Sequence, residues 1–463
     1  MLGKLFIAGA VVIAVLQFIR PTIPAQPATA ELRAPSEVRR ILDQDCYRCH
    51  SDQRRLSWFD EIVPAYWLVR HDVLTARRRL NFSRLGSAPQ AAQKSTLYEA
   101  VNMIQLGAMP PANFLALHPA AKTTPEELAT LKRYLAPWGP ASGEIGDARG
   151  HLPGTSDATT GGAQGIVRDR SIEPVSLANV LPELNGFPFD PSFEKWKPIS
   201  TTDRGDNKTF RFILGNEIAV KVAQSGHLAP WPDGTRFAKI AWQQELGPDG
   251  LVHPGKFIQV ELMAKDAHRY RRSEGWGWGR WRGLELKPYG QDARFVAECT
   301  SCHLPMRGND FVYTLPITAA TVGDELVNRR AGALPASLPF QPLRWSAITM
   351  YVDPTNQTMA TLYANEAAMR FVSIRPANGP APAYQAGSVL ALVTWAQRDD
   401  PHWFGARIPD APRSIEFVQV AAAAEGSRYR RFADSGLQEI HPTATTAALR
   451  MSFVLGLPPA RLP

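Results

Sequence analysis

The sequence predicts an α+β protein of several domains, a small α-helical domain followed by two antiparallel β-rich domains. Three observations predict it. Residues 31–140 carry Arg/Ala/Leu-rich stretches with few β-branched runs, the texture of helices. Beyond residue 172 the texture changes to short alternating segments punctuated by tryptophans and turn residues, as strands require. That β-rich part then repeats itself, over residues 173–325 and 326–463, so it reads as two copies of one fold. A chain of 463 residues is too long for one ordinary core. With 44% apolar and 20% charged residues it is globular rather than disordered.

Residues 1–30 read as a signal peptide or an N-terminal membrane anchor. Lys4 precedes a largely apolar run over residues 5–19, which Arg20 and Pro21 end. The run is short of the about 20 residues that a spanning helix needs and suits a signal-peptide core. Ala28-Thr29-Ala30 offers a small-x-small cleavage site, so removal and retention both stay open. Either way the expected location is the bacterial periplasm, soluble or tethered to the inner membrane. The formal charge of +8 reads first as a mildly basic solvated surface and second as steering of an acidic redox partner or membrane phosphate. No nucleic-acid motif accompanies it, so no nucleic-acid binding is inferred.

All four cysteines fall in two Cys-x-x-Cys-His units, Cys46-Tyr47-Arg48-Cys49-His50 and Cys299-Thr300-Ser301-Cys302-His303. Two thiols three positions apart reach the two vinyl groups of one haem as thioethers, and the adjacent histidine lies under the iron. The cofactors expected are therefore two covalently bound haems c. A single zinc site would leave both histidines idle, and a disulfide closed across two residues would be a redox motif more than a staple.

In the helical domain, 31–140, Thr124-Pro125-Glu126-Glu127 is a helix start: a hydroxyl N-cap, proline at the first position, then acidic residues. Gly107-Ala108-Met109-Pro110-Pro111 supplies a thioether, Met109, as the second axial ligand opposite His50. That pairing fills both axial positions and suits electron transfer; the plainer reading of Met109 is core filler. His118 and His71 are rival ligands, although a lone histidine in such surroundings is more often a packing residue. A Gly/Ser/Thr/Asp-rich stretch over 143–165 marks a linker, placed at 141–172.

The repeat pairs Gly215-Asn216-Glu217-Ile218-Ala219 with Ala364-Asn365-Glu366-Ala367-Ala368, and Trp242 with Trp395. It also pairs Arg269-Tyr270-Arg271-Arg272 with Arg428-Tyr429-Arg430-Arg431. Only the first copy has a Cys-x-x-Cys-His, so the second serves as an internal control. Asn207 and Thr209 persist as Asn356 and Thr358 and read as fold determinants. Lys239 becomes Leu392 and Arg211 becomes Ala360, so both read as haem-associated. A lone lysine in Phe237-Ala238-Lys239-Ile240-Ala241-Trp242 would be costly if buried unpaired; its bland reading is an edge-strand lysine with its head in solvent. Lys221 keeps its charge as Arg370, and Lys265 aligns loosely.

Residues 35–140 resemble the haem-binding domain family of exported bacterial proteins, a cytochrome c-like fold. The match rests on 46–51, Pro64-Ala65-Tyr66-Trp67, Asn81-Phe82-Ser83, 107–111 and His118. The next domain resembles cytochrome P-460, and the last is a haem-less copy of it. The match runs through Phe187-Pro188-Phe189, 206–211, Trp231-Pro232-Asp233-Gly234, 260–266, Gly275-Trp276-Gly277-Trp278-Gly279, 299–303 and Asp310-Phe311-Val312-Tyr313. The resemblance implies a mainly antiparallel β fold and a five-coordinate haem bonded to a lysine nitrogen, oxidising hydroxylamine. Related cytochromes c-prime of the beta type lack the crosslink and bind nitric oxide. On this reading Lys239 is the crosslink and Arg211 a distal donor or haem-propionate partner. Glu261 is the distal proton acceptor, although strand parity alone does not settle its face. The electrons would pass to the first haem and then to a periplasmic redox partner. A nitric-oxide carrier or sensor and a plain dihaem electron-transfer protein are the alternatives.

Overall fold

The computed structural model describes residues 9, 11–135, 176–320, 326–374, 384–422, 426–434, 436–460 and 462. The expected linker lies outside them. The chain divides into two compact units, Met1–Pro140 and Ala141–Pro463.

The first unit is helical. Helix α1 (Ser36–Ile41) passes through a π turn at Leu42–Cys46 into α2 (Tyr47–His50), so the first Cys-x-x-Cys-His rides on one helical rod. A π turn widens the rod by a residue and is a feature of functional sites. Then come α3 (Ala65–Arg79), α4 (Phe82–Leu85), α5 (Gln90–Gln105), α6 (Ala112–Leu117) and α7 (Pro125–Leu135). Thr124 caps α7 as expected: its Oγ1 accepts from the Glu127 N–H at 3.2 Å, and Glu127 Oε2 accepts from the Thr124 N–H at 3.0 Å. Tyr47 stacks on Phe82 at 5.2 Å, which fixes α2 against α4.

Among its described residues the second unit forms one antiparallel sheet of twelve strands. The first half holds β1 (Lys197–Arg204), β2 (Thr209–Gly215), α8 (Glu217–Ser225), β3 (Arg236–Leu246), β4 (Val252–Lys265), β5 (Trp276–Arg282), the short β6 (Lys287–Pro288) and α9 (Val296–His303). After the short α10 (Arg329–Gly332), the second half runs β7 (Ser346–Asp353), β8 (Thr358–Ala364), α11 (Glu366–Ile374), β9 (Val389–Asp399), β10 (Ala406–Gln419), β11 (Arg428–Ala433), β12 (Gln438–Ile440) and α12 (Ala444–Gly456). Each half thus spells strand, strand, helix, four strands, helix. Pairing of β4 with β7 and of β10 with β1 closes eight strands into a barrel. The tight turns match too: Lys208 and Gln357 both take positive φ, 55° and 52°.

Strand alternation sorts the side chains into three layers. Phe210, Phe212, Ile240, Trp242, Val260 and Trp281 meet Met350, Met359, Tyr363, Val393, Trp395 and Phe417 in a core common to both halves. The opposite face of the first half, with Ile213, Phe237, Met263, Trp276 and Trp278, packs beneath Phe311 and Val312. The corresponding face of the second half packs under α12 through Val454 and Leu457. The two β-rich stretches therefore share one sheet and one core. The Gly-Trp alternation of β5 follows from the layering: a Cβ at Gly277 would lie 2.5 Å from Phe187, so the indoles go to one face and ring contacts crowd the other.

The register revises one repeat pairing. Arg271–Ser273 forms a 3-10 turn ahead of β5, whereas Arg428–Ala433 is strand β11. Glu261 pairs with Arg280 across β4–β5, and Glu416 pairs with Arg431 across β10–β11. The structural counterpart of Arg431 is therefore Arg280, not Arg272; the Arg-rich texture of both segments disguised the offset.

Candidate functional site

In the first unit His50 ends α2, and its Nδ1–H donates to the Leu80 carbonyl at 3.1 Å. Burial lowers its pKa, so the ring is neutral with Nε2 as its ligating nitrogen. Burial also pushes the Cys46 thiol up to about 12 and the Cys49 thiol to about 11. In the same unit Phe59, Ile62, Pro64, Ala65, Leu68 and Leu117 line an apolar hollow of about 560 Å³. Next along α3 stands Asp72, whose charge acts on Cys49.

Met109 follows the turn after α5 and is 38% exposed. His118 is buried and committed elsewhere: Nε2 lies 2.9 Å from Asp60 Oδ1, and its ring stacks between Phe59 and Phe114. His71 lies exposed on α3.

In the second unit α9 carries the second Cys-x-x-Cys-His. His303 Nδ1–H donates to the Phe311 carbonyl at 2.6 Å, and burial pulls the ring down to about 4. Its Nε2 is therefore free in the same way. Trp278 flanks the ring at 4.5 Å and Tyr313 meets it edge-on at 5.2 Å.

The register brings three of the expected site residues together and adds a fourth. Lys239 pairs with Glu261 across β3–β4, Glu261 with Arg280 across β4–β5, and Arg211 with Ala241 across β2–β3. All four point to the face of Phe237, Met263 and Trp278, which settles the face of Glu261. Lys239 Nζ lies 2.6 Å from Glu261 Oε2, and Arg280 Nε lies 3.4 Å from Oε1. Burial brings Lys239 down to about 8, against the pull of Glu261. Burial alone would raise Glu261, but Lys239 and then Arg280 hold it at about 2. Arg211 falls to about 9 through burial and the nearby Arg204. The charges of Lys239, Glu261 and Arg280 all act on Cys299 and on His303, so the cluster borders the Cys-x-x-Cys-His.

The other lysines stand apart from the cluster. Lys221 is exposed on α8 and pairs with Glu217. Lys265 is bound to Asp310 at 2.7 Å.

Both places fit a haem. Each offers two cysteines outside any disulfide, one helical turn apart, and a neutral imidazole with one nitrogen uncommitted. In the second unit Arg211 Nε and Trp278 Nε1 are buried donors without a hydrogen-bond partner among the described residues, which suits an acidic, flat macrocycle. Among the described residues no group of three or more His, Cys, Asp or Glu is arranged to hold a metal ion by itself.

Arg280 escaped the sequence reading because its counterpart, Arg431, was paired with Arg272 instead; alternation within Trp276, Trp278 and Arg280 was the signal that could have found it. His402 escaped as well. Its Nδ1–H donates to the Tyr313 carbonyl at 2.6 Å, and Trp403 packs on Tyr313 at 5.6 Å, so the half without a Cys-x-x-Cys-His braces the ring that flanks His303.

Residues 11–137 match the family model described as Haem-binding domain, and residues 191–314 match that of Cytochrome P460. No curated protein matches the chain. The chain is a haem-dependent cytochrome in which a haem-binding domain precedes a Cytochrome P460 domain.

Proposed function

We propose that this is a periplasmic dihaem c-type cytochrome that oxidises hydroxylamine at a haem held by Cys299, Cys302 and His303. Its electrons pass to a second haem, held by Cys46, Cys49, His50 and Met109, and from there to a periplasmic redox partner. One observation carries the reading. Lys239 stands with Glu261 and Arg280 at the edge of the second Cys-x-x-Cys-His, and the copy without that motif has Leu392 in its place.

When bound, the haem supplies an iron that takes electrons from the substrate nitrogen singly. The protein residues shape the rest. The Phe311 carbonyl fixes the tautomer of His303. While Lys239 is an ammonium, Glu261 is held too acidic to accept protons. Were Lys239 Nζ joined to the macrocycle, it would carry no ammonium charge, and burial would then drive the Glu261 carboxylate upward. In that state Glu261 would serve as a base rather than an ion-pair partner, with Arg280 orienting it.

The ion pair also favours a second reading. A lysine that stays paired is no nucleophile, and an uncrosslinked haem would serve as a nitric-oxide carrier. Proteolytic mass spectra decide between them. A haem peptide joined to Lys239, with hydroxylamine turnover by an artificial acceptor, supports the oxidase; unmodified Lys239 with nitric-oxide binding and no turnover supports the carrier.

A further inference from the structure

The N-terminal segment was open to removal on sequence grounds, yet residues 16–32 are built into the first unit. Ile23 is 4% exposed and packs with Val63, Tyr66 and Val73, the cluster against which Cys49 rests. The Gln17 amide clasps the backbone of Val63, donating to its carbonyl at 3.1 Å and accepting from its N–H at 2.9 Å. Tyr66 Oη donates to the Pro21 carbonyl at 2.6 Å, Trp67 Nε1 to that of Ile19 at 2.8 Å, and Arg70 Nε to that of Thr22 at 3.1 Å. Arg20 pairs with Glu61. Even the small-x-small tripeptide is engaged, since the Thr29 and Ala30 N–H groups both donate to the Ser83 carbonyl. The family match likewise begins at residue 11, ahead of all these contacts.

The part of the segment that makes no core is apolar and outward. Val11, Val12, Ile13 and Val15 are each more than half exposed, and Phe18 is 90% exposed. Water disfavours so continuous an apolar strip. No described helix is long and apolar enough to cross a membrane. The apolar run nevertheless continues towards the N-terminus as far as residue 5, with Lys4 before it. Trp67, an indole on the rim beside Ile19, is of the type that settles at headgroup level.

We propose that this segment is retained in the mature protein, where it has two functions. Residues 16–32 wall the Cys49 side of the haem-binding domain, and the strip over 11–19 inserts into a lipid bilayer, holding that domain against the membrane surface. The proposal is independent of the chemistry at Lys239.

The test takes holoprotein from membrane and soluble fractions of the producing cell. The expected result is a membrane-bound chain whose N-terminal sequence lies ahead of residue 11, released by detergent and not by 1 M salt. Purified, it floats with phosphatidylcholine vesicles. A soluble mature chain beginning near Glu31 would overturn the proposal, and failure to float would overturn its lipid half. A second arm exports residues 31–463 behind an unrelated cleaved signal. It is expected to load the first haem poorly while the Cytochrome P460 haem loads normally. Unchanged absorbance and melting of the first haem domain would show that residues 16–32 are dispensable, contrary to the proposal.

Discussion

Lys239 and Glu261 face each other across the β3–β4 register, 2.6 Å apart, whereas in the second half Leu392 faces Glu416 across β9–β10. The carboxylate is common to both halves and only its basic partner differs. By the logic that singles out Lys239, Glu261 is inherited with the fold, and its chemistry depends on which cation it faces. Lys239→Met is therefore expected to abolish hydroxylamine turnover and to remove any far-red ferrous absorption. In protein whose Lys239 is uncrosslinked it should also raise the Glu261 pKa, read by carboxyl infrared difference spectra; an unmoved carboxyl band there would refute the coupling.

Protein in which Lys239 stays free has a titration signature of its own. Its folded pKa of about 8 lies below the about 10.4 of an unfolded lysine, so between these values the unfolded chain binds the extra proton. Stability must then rise with pH across that window. Glu261 acts at the other end: its stabilisation is present above about 4.3 and is lost as pH falls towards about 2. A crosslinked chain lacks the alkaline rise because Lys239 no longer titrates there. Melting temperatures from pH 7.5 to 10.5, before and after Lys239→Met, distinguish the two.

Much of this was legible in the sequence because it is written locally. A Cys-x-x-Cys-His declares its chemistry within five positions, and the capping residues of α7 do so within four. Lys239 needed a long-range comparison, but the repeat placed that comparison inside the chain. Arg280 was hidden because its role comes from pairing with Glu261, and the differing turns ahead of β5 and β11 displaced the apparent match. Residues 16–32 were hidden for a related reason: hydropathy reports a leader, while the clasp of Gln17 on Val63 joins residues far apart in sequence.

In the first unit two histidines and a methionine competed for one role, and their surroundings separate them. The bond of His118 to Asp60 and its place between two phenylalanines make it structural. His118→Ala is expected to cost about 1–3 kcal/mol by leaving the Asp60 carboxylate buried without that partner, yet to preserve the thioether-to-iron charge-transfer band. Met109→Ala should lose that band and lower the potential of the first haem. A band that survives Met109→Ala would exclude the methionine.

His402 and Tyr313 join the two halves of the second unit on the His303 side. Tyr313 Oη donates to the Cys302 carbonyl at 2.7 Å, so one tyrosine ties the cysteine–histidine backbone to the loop of His402 and Trp403. Tyr313→Phe removes one hydrogen bond, worth about 1 kcal/mol, and keeps the ring. His402→Ala removes the brace from the other side. Both are expected to shift the reduction potential of the second haem while that of the first stays fixed, as potentiometry would show. Equal shifts of both haems would contradict a local brace.

The half without a Cys-x-x-Cys-His answers the same carboxylate by another route. Glu416 is 2% exposed, and Arg450 from α12 grips both its oxygens, at 2.6 and 2.9 Å, while Tyr429 Oη donates at 2.5 Å. On the face where the first half carries Lys239 and α9, the second half carries Leu392 and this helix. Arg450→Met strands a buried charge, for which about 3–5 kcal/mol is the usual cost, and should depress the melting of the whole second unit because the halves share one core. Arg450→Met with Glu416→Gln should recover most of the loss, since no charge is then stranded. If the single variant melts like the parent, Arg450 does not neutralise Glu416 and α12 is held by its apolar contacts alone.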